Sequence, residues 1–346
     1  MFKLALGALV SLLFVLSPVS EAQAAGRSHA SAKKHVIKKA RKDATEVTIR
    51  TRTVRHVSVV RGRRVVTFRP VRSANVILAP AARSAGDVAG LNLTRDPLAL
   101  ASNVALVLDQ TSSEVLFEKN ANVALPIASI TKLMTGLIVV QAQQDMNEML
   151  SITEEDIDHE KHTHSRLAVG SRMTRGDLLH IALMSSENRA ASALGRNYPG
   201  GISAFVAAMN AKAKQLGMND THYVDSSGLS SRNVASARDL AKLAIVAHQE
   251  PLLREYSTDT NAEVDAGGRI MHYSNTNRLV ANPDWDIGLQ KTGFINEAGR
   301  CLVMQAMIQG RAVIMVFLDS KGKLSRTADA GRMRKWLEAL KPPGIG

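Results

Sequence analysis

Three short motifs hold the residues whose types and spacing are best suited to chemistry. In chain order they are Ser129-Ile-Thr-Lys132, Ser186-Glu-Asn188 and Lys291-Thr-Gly293. A serine hydroxyl is a poor nucleophile until a neighbouring group takes its proton, and a lysine three residues further along a helix lies on the same face as the serine. The first motif therefore predicts nucleophilic acyl transfer with lysine, rather than histidine, as the base.

Lysine can act as a base only when it is neutral, and its unperturbed pKa is about 10.4. Lowering that pKa to about 8 costs about 3 kcal/mol. A second lysine about 6 Å away supplies this much at an effective dielectric near 20, and burial acts in the same direction. We therefore expect Lys291 to lie near Lys132.

The second motif has residue types that can move a proton and orient a substrate. We expect Ser186 to relay a proton between Lys132 and a leaving amine. The side-chain amide of Asn188 has both a donor and an acceptor, so it can hold a substrate amide and the lysine together.

The third motif is predicted to bind the substrate. Lys291 and Thr292 can bind a terminal carboxylate, and Gly293 allows a ligand to approach the strand backbone closely. An oxyanion hole needs two N–H groups. We assign these to the backbone of Ser129 and of Phe294.

Single motifs of this length also occur by chance. Ser-x-x-Lys matches again at Ser31/Lys34 and Ser320/Lys323, and Ser-x-Asn matches again at Ser73/Asn75 and Ser231/Asn233. Lys-Thr-Gly occurs once, where about 0.1 occurrences are expected. Taken alone, Ser129 is more typical of a helix N-cap, and Lys291 could be a solvated strand end. The order of the three motifs favours catalysis.

Two other groups of residues are weaker candidates. His159, His162 and His164 are clustered, which can indicate zinc binding, but their spacing fits no structural zinc pattern and is typical of a solvated loop. Cys301 is the single cysteine, so no internal disulfide can form. It lies in an apolar run and is predicted to be a buried core residue. We predict no metal site and no cofactor.

The elements that must position these motifs alternate in type along the chain. Strands are predicted at 103–109, 114–118, 288–292, 300–308 and 312–318, and helices at 129–143, 175–186, 188–198, 202–216, 237–248 and 325–340. The helix at 129–143 is apolar on all sides and is expected to be buried. The pattern predicts an α+β fold, in which one antiparallel sheet from both chain ends is flanked by helices and the inserted region is mostly helical.

The first 25 residues have the pattern of a secretory signal peptide. Lys3 precedes an apolar run from Leu4 to about Val19, and Ala22-Gln-Ala-Ala25 supplies small residues for cleavage after Ala24 or Ala25. A membrane anchor is the weaker alternative, because the run is short and interrupted by Ser and Pro. We therefore predict an exported protein.

Residues 26–95 form a basic low-complexity extension and linker. They contain 17 Lys and Arg against 3 Asp and Glu, whereas the formal charge of the whole chain is +13. Residues 26 to about 45 are predicted to be disordered, residues 47–70 to form a hairpin around 61–63, and residues 70–97 to be a linker. A basic tail on an exported chain favours contact with anionic envelope polymers or membrane surfaces over nucleic acid. The domain with the three motifs is predicted to span 96–346.

Residues 98–340 resemble the low-molecular-mass penicillin-binding proteins, specifically the D-alanyl-D-alanine endopeptidases of the penicillin-binding protein 7 type in serine peptidase family S11. The matching stretches are 126–135, 183–191, 225–229 and 291–301. The resemblance implies a β-lactamase/transpeptidase-like (DD-peptidase) fold, a periplasmic location, and hydrolysis of D-alanyl bonds in peptidoglycan, with β-lactam antibiotics as covalent inhibitors. It implies that Ser129 is the nucleophile, Lys132 the proton acceptor, Ser186 the second serine and Lys291 a substrate-binding residue.

Alternatives to an endopeptidase remain open. Only 55 residues follow Lys291, which favours the endopeptidase over related carboxypeptidases that carry an added β-domain and a membrane-anchoring helix. A β-lactamase is disfavoured because no Glu-x-x-Leu-Asn lies between Asn188 and Lys291. A D,D-carboxypeptidase, or a non-catalytic wall-binding protein that uses the basic extension, are the other candidates.

Overall fold

The computed structural model describes residues 44–60, 63–78 and 83–340, and the chain divides into two units, Met1–Pro80 and Ala81–Gly346. The predicted signal peptide and nearly all of the segment predicted to be disordered lie outside the described residues. Within the described residues, none of the helices has both the length and the apolar character needed to span a bilayer.

The described residues of the first unit form an antiparallel pair of strands, β1 (Ala44–Val60) and β2 (Arg63–Leu78). Val60 pairs with Arg63 next to the connection, and Val47 pairs with Val76 near the other end. The strands are longer than the hairpin predicted for residues 47–70, because β2 continues through Pro70 into the segment predicted to be a linker. Val, Ile and Thr favour extended backbone throughout both strands.

The second unit contains a longer series of strands and helices. In chain order they are α1 (Ala85–Val88), β3 (Ser102–Asp109), β4 (Val115–Lys119), β5 (Leu125–Pro126), α2 (Thr131–Gln141), β6 (Met149–Ser151), β7 (Arg172–Thr174), α3 (Arg175–Met184), α4 (Asn188–Arg196), α5 (Gly201–Gln215), β8 (Val234–Ala235), α6 (Ala237–Gln249), α7 (Pro251–Thr258), β9 (Asn261–Asp265), β10 (Ile270–Ser274), β11 (Asp286–Ile295), β12 (Gly299–Ile308), β13 (Arg311–Ser320) and α8 (Ser325–Ala339).

The main sheet has five strands in the order β11-β12-β13-β3-β4. Neighbouring strands are antiparallel throughout, with Lys291 opposite Val303 and Val316 opposite Leu106. Strands β3 and β4 come from the beginning of the unit and β11 to β13 from its end, which confirms the predicted sheet from both chain ends. Strand β11 lies at the edge of this sheet, so one side of the strand that carries Lys291 is open for other groups.

Apolar side chains cover both faces of the sheet. On β3, Leu106 belongs to the cluster shared with the helical region, whereas Val107 belongs to the cluster beneath α8. This alternation is the period of two expected for a strand, and it explains why every residue of β3 is buried. Helix α2 is surrounded, with Leu133 and Leu137 fully buried, so it forms a rigid base for the residues at its N-terminal end.

The second unit begins further toward the N-terminus than the predicted boundary at residue 96. The Ser84 hydroxyl donates to Asp319 Oδ2 at 2.7 Å, and the Ala85 backbone N–H donates to Glu297 O at 2.9 Å. Asn103 also donates to Asp87 at 3.2 Å. These contacts join the segment from Ser84 to β13 and to the turn after β11, although its composition is typical of a linker.

Candidate active site

Ser129 lies at the entrance to helix α2, in a short 3-10 turn that spans Ala128–Ile130. Ala128 has a φ of +49°, a left-handed conformation that is uncommon for a residue other than glycine. The Ser129 hydroxyl makes no capping hydrogen bond to either helix, since the N-cap positions are Ile127 and Ile130. The N-cap alternative is therefore wrong for this serine, and its half-buried hydroxyl is free for other contacts.

Lys132 lies one turn into α2 and is fully buried. Its Nζ donates to Ser129 Oγ at 2.9 Å, to Asn188 Oδ1 at 2.8 Å and to Ser227 O at 2.5 Å. Burial lowers the pKa of Lys132 to about 7, against a smaller opposing effect of Asp225 and Glu187. A substantial fraction of this lysine is thus neutral near pH 7 and can accept the Ser129 proton along the 2.9 Å contact.

Lys291 occupies the neighbouring position on β11 and is also fully buried. Its Nζ donates to Ser186 Oγ and to Thr292 O, both at 2.9 Å. Burial lowers the pKa of Lys291 well below its ordinary value, and the nearby Lys132 and Arg326 act in the same direction. From the sequence, Lys291 was expected to lower the pKa of Lys132 together with burial. In the structure burial lowers the pKa of Lys132 while Asp225 and Glu187 raise it, and Lys291 is not among the causes. For Lys291 itself, burial is the largest of three causes that lower its pKa.

Ser186 and Asn188 lie at the junction between α3 and α4, as predicted. Ser186 has a φ of +65°, a strained conformation that costs about 1–3 kcal/mol. The resulting turn places Ser186 Oγ against Lys291 and Asn188 against Lys132. Because an ammonium can only donate, the contact with Lys132 fixes the Asn188 oxygen toward the lysine, and Asn188 Nδ2 then donates to Thr163 Oγ1 at 3.2 Å.

Gly293 allows strand β11 to pass very close to Ser129. A Cβ atom at this position would lie 2.8 Å from Ile127 O and 3.2 Å from Ser129 N. Gly293 therefore lies beside the Ser129 backbone N–H, and Phe294, the other predicted oxyanion donor, is the next residue on β11. Phe294 itself is exposed, and the Arg300 guanidinium lies 4.5 Å from the centre of its ring.

Thr292 is almost fully buried on the same strand. Its Oγ1 lies 2.7 Å from Thr276 Oγ1, so the two hydroxyls share one hydrogen bond. Arg326, on α8, donates from Nη1 to Gly293 O at 2.9 Å. The sequence predicted no role for Thr276 or Arg326. Neither residue has a motif around it, and only the fold places it beside β11.

Residues 225–230 form a loop beside Lys132 for which the sequence predicted no role, although residues 225–229 belong to the stretches that carry the resemblance. Asp225 accepts backbone N–H groups from Ser227 at 2.7 Å, Gly228 at 2.5 Å and Ser230 at 3.0 Å. This arrangement directs the Ser227 carbonyl toward Lys132. Gly228 has a φ of +80°, and a Cβ atom there would overlap the Ala128 carbonyl. The Asp-Ser-Ser-Gly pattern is typical of a tight turn, so the sequence could have predicted a turn at this position.

The weaker candidates lie outside this constellation. His159, His162 and His164 are exposed on a loop, and in the described part of the chain no three His, Cys, Asp or Glu side chains form a group that could hold a metal ion. Cys301 is fully buried, and burial raises the pKa of its thiol to about 12. The thiol therefore stays protonated and unreactive at neutral pH.

Comparison with known proteins gives consistent results. Residues 92–322 match peptidase family S11, described as D-alanyl-D-alanine carboxypeptidase. A D-alanyl-D-alanine endopeptidase of Pseudomonas aeruginosa is 48% identical over 252 residues, which cover 72% of this chain and 80% of that protein. The corresponding enzyme of Escherichia coli is 43% identical over 244 residues, which cover 70% of this chain and 79% of that protein.

The fold is similar to that of a solved penicillin-binding protein. Penicillin-binding protein D2 of Listeria monocytogenes, in its cefotaxime-bound form, has a TM-score of 0.62 and 29% sequence identity. The match covers 70% of this chain and 98% of that one. It confirms the predicted β-lactamase/transpeptidase-like fold.

Replacement of Gly293 by alanine tests the close approach of β11 to Ser129. We expect Gly293→Ala to lower the free energy of unfolding by about 1–3 kcal/mol, because the new methyl group has no room beside Ile127 O and Ser129 N. Gly331→Ala is the matched control, since nothing lies within 4 Å of its Cβ position on α8. It is expected to stabilise the protein by up to about 1 kcal/mol. Urea unfolding measures both, and equal effects would contradict the close approach.

Proposed function

Because the chain belongs to the peptidase S11 family of D-alanyl-D-alanine carboxypeptidases, we propose that it is a serine D-alanyl-D-alanine endopeptidase that hydrolyses peptide cross-links in peptidoglycan. The 2.9 Å contact between Lys132 Nζ and Ser129 Oγ, in a pocket that keeps the lysine partly neutral, carries this proposal. The similar proteins of Pseudomonas aeruginosa and Escherichia coli are both described as endopeptidases, which supports the cross-link as the substrate.

Acylation requires a base, an oxyanion site and an acid for the leaving group. Neutral Lys132 accepts the proton of Ser129 while Oγ attacks the carbonyl carbon of the D-alanyl residue. The developing oxyanion is bound by the backbone N–H groups of Ser129 and Phe294. As the C–N bond breaks, the Ser186 hydroxyl passes a proton to the departing amine and is reprotonated from the lysines. The product is an ester on Ser129 and a free amine on the released peptide.

Deacylation repeats the same steps with water as the nucleophile. Lys132, neutral again after the proton has left with the amine, accepts a proton from the attacking water. The ester bond to Ser129 breaks, and Ser129 Oγ recovers its proton from Lys132. The donor peptide leaves with a carboxylate, so one water is consumed for each cross-link cleaved.

Lys291 and Thr292 are suited to bind an acidic group on the substrate. Burial keeps the pKa of Lys291 well below its ordinary value. A carboxylate next to its Nζ would favour the ammonium form, so binding and protonation of Lys291 are coupled. A β-lactam antibiotic carries both an acidic group and a reactive acyl group, and we propose that β-lactams acylate Ser129.

A D,D-carboxypeptidase is the second candidate. The family description names this activity, and the same serine, lysine and oxyanion site would cleave a terminal D-alanine. The two activities differ only in what is attached to the leaving amine. A purely wall-binding protein is less well supported, because the residues needed for catalysis are present in hydrogen-bonded pairs. Lys132 is bonded to Ser129, and Lys291 to Ser186.

We also propose that the enzyme acts in the periplasm and that the basic residues before Pro80 increase its affinity for anionic wall material. The signal-peptide pattern of residues 1–25 supports export. The excess of Lys and Arg in residues 26–80 supports electrostatic attraction to acidic polymers.

The reaction on peptidoglycan is tested with the nucleophile removed. Wild-type protein incubated with purified sacculi is expected to reduce the amount of cross-linked dimers, measured by muropeptide chromatography, and Ser129→Ala to leave them unchanged. Ser203→Ala, which changes an exposed serine on α5, is expected to behave as the wild type. Loss of terminal D-alanine without loss of dimers would replace the endopeptidase with a carboxypeptidase, and no difference between wild type and Ser129→Ala would exclude both.

The pH dependence tests Lys132 as the base. Below its pKa of about 7 Lys132 holds a proton and cannot accept another, so the acylation rate of Ser129 by a fluorescent penicillin should rise with pH through this value and then level off. Lys132→Arg is expected to lose at least about 100-fold in rate, because the guanidinium stays protonated. Lys214→Arg, on the exposed side of α5, is the control with an unchanged profile. A rate that does not depend on pH would contradict this role.

The role of the basic segment is tested by deleting residues 26–80, which leaves the contacts of Ser84 and Ala85 intact. The shortened protein is expected to bind purified sacculi at least about threefold more weakly at low salt, and the difference should disappear at about 1 M salt, where charges are screened. Acylation by a fluorescent penicillin should be equal for both proteins. Equal binding at low salt would remove this proposal.

A further inference from the structure

An ion pair connects the two sides of the catalytic cleft. One side is β11 with the turn that follows it, and the other is the loop of residues 158–166, which we call the cleft loop. Lys161 Nζ, on the cleft loop, lies 2.6 Å from Glu297 Oε1, two residues beyond the end of β11. The pair therefore crosses the end of the cleft that lies beyond Phe294.

The cleft loop is held in place without this ion pair. Asp158 accepts the backbone N–H groups of Lys161 at 2.8 Å and Thr163 at 2.7 Å. Thr163 Oγ1 accepts from Asn188 Nδ2 at 3.2 Å, and Ser165 donates to Glu187 at 2.7 Å. The loop is thus fixed to the junction that carries Ser186 and Asn188.

The stability of the fold gives little reason for the Lys161–Glu297 pair. Its side chains are 23% and 43% exposed, and ion pairs of this exposure contribute little to folding. Lys161 has three N–H donors, and its other neighbouring carboxylate, that of Glu160, is 4.0 Å away. Glu297 Oε2 is buried and has no hydrogen-bond partner among the described residues. The pair consequently keeps hydrogen-bonding capacity that a ligand can use.

The direction of the bound peptide follows from the proposed function. An extended peptide can add to β11, which is an edge strand. Its acidic leaving side lies at Lys291 and Thr292, and its reacting carbonyl lies at the N–H of Phe294. The donor peptide must then continue along β11 toward Glu297. Glu297 lies three positions after Phe294, in the turn that follows β11, which is at most about 10 Å along the chain. The ion pair is therefore placed beside the two or three residues that precede the reacting D-alanine.

We propose that Lys161 is a specificity-determining residue that binds a side-chain carboxylate of the donor peptide, one or two residues before the reacting D-alanine. Glu297 holds the ammonium at the end of the cleft when no substrate is bound and stays beside it when the substrate arrives. The inference rests on the proposed function, because that function sets the direction of the peptide. The ligand class is an extended anionic peptide that ends in a D-alanyl amide.

The experiment compares acetylated peptides that end in D-alanyl-D-alanine and carry either glutamate or glutamine at one of the two preceding positions. At one of these positions the wild type is expected to have a kcat/KM about tenfold higher for the glutamate peptide, which corresponds to about 1.4 kcal/mol. Lys161→Gln should reduce this ratio to about one, and Lys161→Arg should restore most of it. Glu297→Gln should keep the preference.

Lys214→Gln is the matched control, since it removes an equal charge from an exposed lysine on α5 and should keep the wild-type ratio. A retained ratio in Lys161→Gln would overturn the inference, as would a Glu297→Gln variant that cleaves all peptides faster without any preference, because the pair would then be only a barrier. If the wild type cleaves the peptides with equal efficiency, this inference alone fails. If it cleaves none of them and is not acylated by penicillin, the proposed function fails as well.

Discussion

The catalytic constellation depends on a lysine that is buried deeply enough to lose its proton. Lys132 is fully buried, and this burial brings its pKa to about 7. A lysine in such a position must have partners for its N–H groups, because an unpaired polar group in the interior is costly. Ser129, Asn188 and the Ser227 carbonyl supply these partners. The same three contacts that make the burial tolerable also bring the proposed nucleophile, Ser129, and the amide of Asn188, which is proposed to bind substrate, to the lysine.

Bringing these side chains together around Lys132 requires local backbone strain. Ala128 and Ser186 have positive φ values of 49° and 65°, each of which costs about 1–3 kcal/mol. Gly228 and Gly293 lie where a side chain would collide with the turn around Ser129. The apolar cores on both faces of the sheet hold these conformations in place. The rigid surroundings of α2 and β11 are thus a condition for the chemistry and not only for stability.

The sequence was sufficient to predict the elements and motifs with strong local signals. The buried helix, the strands from both chain ends and the three motifs are in the predicted places, and the pair Lys132–Ser129 has the expected geometry. Three kinds of feature could not be predicted. Helix α7 has only eight residues, too few for a reliable helical period. Arg326 reaches Gly293 from 33 residues away, and the boundary near Ser84 depends on tertiary hydrogen bonds. All three are set by long-range contacts.

The positive charges of this chain act differently according to their exposure. Lys132 and Lys291 are buried, where the ammonium form is disfavoured, and they are therefore suited to accept protons. Lys161 is partly exposed beside Glu297, where it is proposed to bind a substrate carboxylate. The basic residues before Pro80 are suited to attraction over longer distances. The turn at Glu297 joins the cleft loop to the start of the catalytic unit. Its backbone carbonyl accepts the Ala85 N–H, and its side chain pairs with Lys161. In the proposed complex, a substrate carboxylate bound by Lys161 would therefore lie beside the same turn that accepts the Ala85 N–H at the start of the catalytic unit.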